Sequence, residues 1–186
     1  MIDSLCLNLA TKLKEAFPNE MPSISKMKYS LKFLMANILP LLLILLSSAM
    51  LNYFYEAMFV VLGFCGLRVV SGGKHLENAD VCVVVSTLFI ATVIFVSHLL
   101  SGSSYLSELL LSMNLISLLL VSIFAPSDIS GFTKIKEENF KYLKIISLII
   151  VIVAMLSKNI YLSFPIFLQS LSLVRINLKG GEKNEN

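Results

Sequence analysis

The residues best suited to chemistry are His75 and Cys82, seven apart in the run Arg68-Val-Val-Ser-Gly72-Gly73-Lys74-His75-Leu-Glu-Asn78-Ala-Asp80-Val-Cys82. A cysteine nucleophile acts as thiolate, and a free thiol has a pKa of about 8.5 that an apolar setting raises further. A general base is therefore needed near neutral pH, and histidine is the usual one. Seven residues is two helical turns, which puts both side chains on one face of a continuous helix. Their Cα atoms would then stand about 10.5 Å apart, at 1.5 Å per residue, too far for a direct hydrogen bond.

Two arrangements answer that distance. In one, the helix is continuous and the imidazole reaches the thiol through water or once substrate binds. In the other, Asn78 or Asp80 caps a helix that starts just before Cys82, and residues 71–77 fold back over its N-terminus. Cys82 would then lie in the first turn, where the positive end of the helix dipole favours thiolate. Gly72-Gly73 supply the backbone freedom for such a fold-back. The second arrangement offers two causes of activation, although an ionised Asp80 nearby opposes the thiolate.

The elements that must hold these residues are membrane helices. Of 186 residues, 56% are hydrophobic and 15% charged, and the mean hydropathy is +0.83. Uninterrupted apolar runs near 20 residues are the mark of transmembrane helices, and they are too long for the alternating strands of a membrane barrel. The fold class is an all-α integral membrane protein in a single domain over 1–186. Six spans are expected at about 33–51, 54–70, 81–100, 105–124, 143–157 and 160–175, some of them short or re-entrant, above all the last pair. Residues 1–32 form an N-terminal segment and 176–186 a tail. Pro40 and Pro165 lie inside spans and should kink them.

In that N-terminal segment Ile2, Leu5, Cys6, Leu9, Leu13 and Phe17 recur at helical spacing, with Asp3, Lys12, Lys14 and Glu15 off the stripe. Such a helix lies in the membrane interface or packs on the rest of the protein. No cleavable signal peptide is expected, because these charges interrupt any apolar core. Three cysteines, Cys6, Cys65 and Cys82, make neither a disulfide framework nor a zinc site. Cys6 and Cys65 read as packing residues.

With the N-terminus in the cytoplasm and every span crossing, each lysine and arginine except Lys158 falls on the cytoplasmic side. This is the positive-inside pattern. Both termini, the Arg68–Cys82 run and the 125–142 loop are then cytoplasmic, and His98 lies across the membrane from Cys82. The outer connections are a few residues each, which disfavours a receptor. Arg68 and Lys74 are candidates for binding acidic groups of a substrate, with positive-inside anchoring as their plainer role.

Arg68, Gly72, Gly73, His75 and Cys82 between two hydrophobic spans, followed by Ala125-Pro126-Ser127-Asp128 at the end of the fourth, resemble AgrB, the accessory gene regulator protein B family. The resemblance covers nearly the whole chain. It implies a bacterial membrane cysteine endopeptidase of quorum sensing, with His75 and Cys82 as its catalytic pair. Its substrate would be a small AgrD-like propeptide, cut through a Cys thioester and cyclised to a thiolactone autoinducing peptide. The loop after Asp128 reads Ile-Ser-Gly-Phe-Thr-Lys-Ile, which departs from the family's pattern and bears on substrate contacts there.

Gly72 and Gly73 amides are candidates for the oxyanion, and Asn78, Asp80 or Asp128 for orienting His75. Neither metal, cofactor nor nucleic acid is expected. Membrane lipid is a partner, and a homodimer is suggested by Gly63 and Gly66, which would let the second span pack closely on another helix. The rival class is a non-enzymatic transporter or assembly factor with Gly72-Gly73 as a hinge. Transporters carry ionisable or broken-helix sites at mid-membrane, whereas the span interiors here offer little beyond Asn37, Asn114 and Gln169.

Overall fold

A computed structural model describes residues 2–72, 78–127 and 140–174. Among these residues there are seven helices: α1 (Ile2–Ala16), α2 (Ile24–Met50), α3 (Phe54–Ser71), α4 (Ala79–Ser101), α5 (Leu106–Phe124), α6 (Phe140–Ser157) and α7 (Ile160–Ser172). Five of them, α2 to α6, are long and apolar enough to cross a membrane. The chain is an all-α integral membrane protein. At most 28% of any of the five apolar windows is buried inside the bundle, so Leu46, Leu62, Leu88, Phe95, Leu119 and Leu156 stand exposed on its outside. In water such a surface would be a liability, and against hydrocarbon it is the solvated face.

The helices persist through many serines and threonines because most of these hydroxyls find a carbonyl on their own helix. Thr87 and Thr92 in α4 donate to Val83 and Leu88, and Ser117 in α5 donates to Met113. Where no water competes, this back-bonding satisfies the hydroxyl at little cost to the helix.

The sixth apolar helix, α7, has 13 residues, about 20 Å at 1.5 Å per residue, against a hydrocarbon core of about 30 Å. It nevertheless runs between both ends of the bundle. Near its start Tyr161 Oη lies 3.2 Å from His98 Nδ1, in the last turn of α4. Near its end the Gln169 amide donates to the Gly72 carbonyl beyond the last turn of α3. Its long neighbours and the tight α6–α7 turn, with Lys158 at φ 50° and Asn159 capping Tyr161 N–H, let it do so.

Pro40 and Pro165 sit within α2 and α7, both fully buried. A proline leaves the carbonyl four residues back without its helical donor. Pro165 also packs toward Gly63 of α3. A Cβ at Gly63 would meet the Leu162 carbonyl oxygen at 2.9 Å and Pro165 Cγ at 3.2 Å. Gly63 thus makes a close approach inside the chain, to α7, whereas a Cβ at Gly66 would meet nothing within 4 Å.

Two expected boundaries differ. The first span begins at Ile24, so Lys26, Lys28 and Lys32 belong to its opening turns. Twenty-seven residues make about 40 Å of helix, which leaves those turns in the headgroup region where lysine stems snorkel. The N-terminal stripe is divided. Ile2, Cys6 and Ala10 of α1 are buried, with Ile2 and Cys6 clustered against Ala79 and Val83 of α4 and Leu31 and Met35 of α2. Leu5 and Leu9 stay exposed. Asp3 pairs with Lys28 and Lys32 at 3.6 and 3.2 Å, and the Lys32 hydrogen bond first of all holds its carboxyl below the ordinary value. Lys14 closes the other end of α1 by donating to the Pro18 and Met21 carbonyls, the favourable site for a cation.

Candidate functional site

At one end of the bundle α3 stops and α4 starts, and the run singled out by its residue types lies between them. Gly72 closes α3 at φ 81° and ψ −162°, a conformation that a side chain would strain. Its N–H donates to the Arg68 carbonyl at 2.9 Å, which commits that amide to the helix cap. Gly72 also forms an isolated parallel bridge with Ser127, whose N–H donates to the Ser71 carbonyl at 2.8 Å. The Ala-Pro-Ser element after α5 is thereby fastened to the end of α3, with a cis peptide at Ala125–Pro126.

Gln169 completes this junction. It is fully buried, and its Nε2 donates to the Gly72 carbonyl at 2.9 Å across 97 residues of sequence. Its Oε1 has no partner among the described residues. Sequence reasoning passed over Gln169 as a stray polar residue in a span. Its position near the end of the last apolar run was the available signal, since a buried amide in a membrane helix needs a specific partner.

Gly73, Lys74, His75 and Asp128 lie outside the described residues, as do 129–139 and 175–186. The chain reappears at Asn78, which caps α4: its side-chain oxygen accepts from the N–H groups of Asp80 and Val81, at 3.0 and 3.4 Å. The Cys82 N–H donates to the Asn78 carbonyl at 2.9 Å. Cys82 therefore occupies the first turn of α4, as the capped arrangement requires. Asp80 turns toward α1, where its Oδ1 accepts from the Ile2 N–H at 3.0 Å.

Half-buried Cys82 opens onto a cavity of about 550 Å3 between α2, α3, α4 and α7. Arg68 lines the same cavity, as does Ser86, whose Oγ is 3.9 Å from Cys82 Sγ. The Arg68 guanidinium lies 5.7 Å from the centre of the Phe64 ring, and Phe64 leans on Phe89 with centroids 5.2 Å apart. This aromatic shelf is the favourable place for a cation at the edge of an apolar space. Cys65 is a wall residue of the cavity too.

Cys6 is buried against α2 with its thiol 3.7 Å from the Met35 thioether, and burial pushes that thiol up. It packs. His98 is 16 residues along α4 from Cys82, about 24 Å at 1.5 Å per residue, and bonds Tyr161 instead. Among the described residues no group of three His, Cys, Asp or Glu side chains could hold a metal ion.

Two comparisons with known proteins bear on this site. The profile of the family described as Accessory gene regulator B matches residues 6–177. A curated AgrB-like protein of Halalkalibacterium halodurans is 27% identical over 96 residues, 52% of this chain and 49% of the relative. The chain thus spans about half the length of that relative in the match. No solved structure matches.

Proposed function

Because the chain belongs to the accessory gene regulator B family, we propose that it is a membrane cysteine endopeptidase of quorum sensing, acting on an AgrD-like propeptide. The observation that carries the reading is the place of Cys82. It sits in a capped first helical turn, at the rim of an apolar cavity it shares with Arg68. His75, seven residues upstream, is the base.

His75 takes the proton from Cys82, and the thiolate attacks the scissile carbonyl of the docked propeptide. The tetrahedral adduct collapses to a thioester on Cys82, and the departing amine receives the proton from His75. A thiol within the retained peptide then attacks the thioester carbonyl. This closes a thiolactone ring and returns Cys82 as a thiol. Ring closure outruns hydrolysis only where water is scarce, a condition that an apolar cavity in a membrane bundle favours. Arg68 binds acidic groups on the departing piece.

The positive-inside pattern of the sequence supports a cytoplasmic location for this end of the bundle and for both termini. The test is processing of the propeptide by purified protein. Cys82→Ala and Cys82→Ser should leave it uncut, and His75→Ala should abolish acylation. Full processing by either Cys82 variant overturns the reading, and mass spectrometry of the wild type should find a propeptide fragment on Cys82.

A further inference from the structure

The turn of α4 that bears Cys82 also bears Asp80, and the two side chains serve different neighbours. Residues two apart leave a helix about 200° apart at 3.6 residues per turn, so Asp80 and Cys82 stand on nearly opposite sides of it. Cys82 lines the cavity with Arg68 and Ser86. Asp80 goes to α1, where its Oδ1 accepts from the Ile2 N–H at 3.0 Å. Ile2 is the first residue of α1, and the opening N–H groups of a helix have no acceptor within it. The Asp80 carboxylate supplies one, at the positive end of the α1 dipole. Ala79 and Val83 lie between Asp80 and Cys82 around the helix, and both are buried in one cluster with Ile2 and Cys6.

α1 is held in turn by α2, through Asp3 with Lys28 and Lys32. Asp3, Lys32, Asn78 and Asp80 line a single polar recess, so the start of α1, the opening turns of α2 and the cap of α4 meet in one place. A helix frays first at its ends, and a misplacement of about 1 Å can cost a reaction roughly 100-fold. A nucleophile in a first turn therefore needs that turn held from outside. We propose that Asp80 is a positioning residue, which through the Ile2 N–H braces the turn bearing Cys82 against α1. The consequence for catalysis rests on the protease reading, whereas the brace itself does not. A brace needs only the acceptor oxygen of Asp80. Orienting His75, the role open to Asp80 from the sequence, would use its charge.

The test compares purified wild type, Asp80→Ala, Asp80→Asn and Asp3→Asn in detergent. It reads hydrogen–deuterium exchange of residues 79–83, labelling of Cys6 by dithiodipyridine, and kcat and KM for the propeptide. Asp80→Ala should speed exchange and Cys6 labelling by about 10-fold, the order of a hydrogen bond to a charged group, and should lower kcat by a similar factor with KM unchanged. Asp80→Asn keeps an acceptor oxygen and should recover most of all three. Asp3→Asn, which loosens α1 from the α2 side, should speed exchange of 79–83 as well. The brace is overturned by wild-type exchange of 79–83 in Asp80→Ala, or by faster exchange there with kcat unaltered. A kcat as low in Asp80→Asn as in Asp80→Ala, with exchange of 79–83 normal, also overturns it and assigns the charge to His75. Should Asp80→Ala fail to fold, Asp3→Asn decides: an opened Cys6 with exchange of 79–83 unchanged refutes the brace. A wild type that leaves the propeptide uncut counts against the protease reading, and exchange and Cys6 labelling then still decide whether Asp80 holds the turn.

Discussion

Gln169→Leu should cripple processing while leaving the bundle folded. The Gln169 amide supplies a 2.9 Å hydrogen bond to the Gly72 carbonyl in a fully buried setting. Such a bond contributes about 0.5–1.5 kcal/mol net, and a buried acceptor left unmet costs about 1–3 kcal/mol. Leucine also removes Oε1, which has no partner among the described residues, and that offsets part of the loss. The balance is about 1–2 kcal/mol, or roughly 5–30-fold in the population holding Gly72 in place. His75 follows Gly72 by three residues, so acylation should fall by about that factor. Unfolding in detergent, followed by circular dichroism, should show only a modest drop in midpoint, and kcat/KM for the propeptide should fall much more steeply than KM rises. A variant that loses stability by this amount but processes at the wild-type rate refutes the argument, because Gly72 would then be held without Gln169.

Gly63→Ala places a methyl 2.9 Å from the Leu162 carbonyl oxygen. Overpacking of this kind costs about 1–3 kcal/mol, whereas Gly66→Ala, with open space around it, should unfold no earlier than wild type. Detergent unfolding of the two variants side by side checks the pair. For α1, the lowered pKa of Asp3 means that its pairing with Lys32 and Lys28 stabilises docking above the ordinary value of 3.8, and that this is lost as the pH falls through the lowered one. Buried Cys6 should become open to dithiodipyridine in that acid range, and Asp3→Asn should label faster at neutral pH and lose the acid step.

What the sequence made legible follows from the kind of signal each element carries. Long apolar runs located five spans because nothing else in a chain of this length needs them. A cap at Asn78 or Asp80 was readable because an Asx residue just before an apolar run has one ready use for its side-chain oxygen, and Asn78 is the one that takes the role. The start of α2 was not readable: Lys26, Lys28 and Lys32 look like a loop, yet in the headgroup region they cost a helix little. Nor could the junction of Gly72, Ser127 and Gln169 be found. Its hydrogen bonds end on backbone carbonyls that every residue possesses, and they join segments 56 and 97 residues apart. Gly63 was read toward a homodimer, and within the chain its close approach already has a partner. That partner is the chain's own short seventh helix.

The helix that seemed weakest in the sequence turns out to connect the two halves of the site. Leu168 and Gln169 are consecutive on α7, so their side chains leave the helix about 100° apart. One faces the cavity below Cys82, and the other holds the Gly72 carbonyl. Pro165 and Leu162, one and two turns earlier, rest on the Gly63 notch of α3. Ser163 and Ser170 bond Asn114 and Ser117 of α5. A helix keyed on two sides in this way has little freedom to slide or turn. Its cavity wall and its tether to α3 are therefore fixed relative to each other to within the slack of packed side chains, a rigidity that a site needs if thiol, base and substrate carbonyl are to meet.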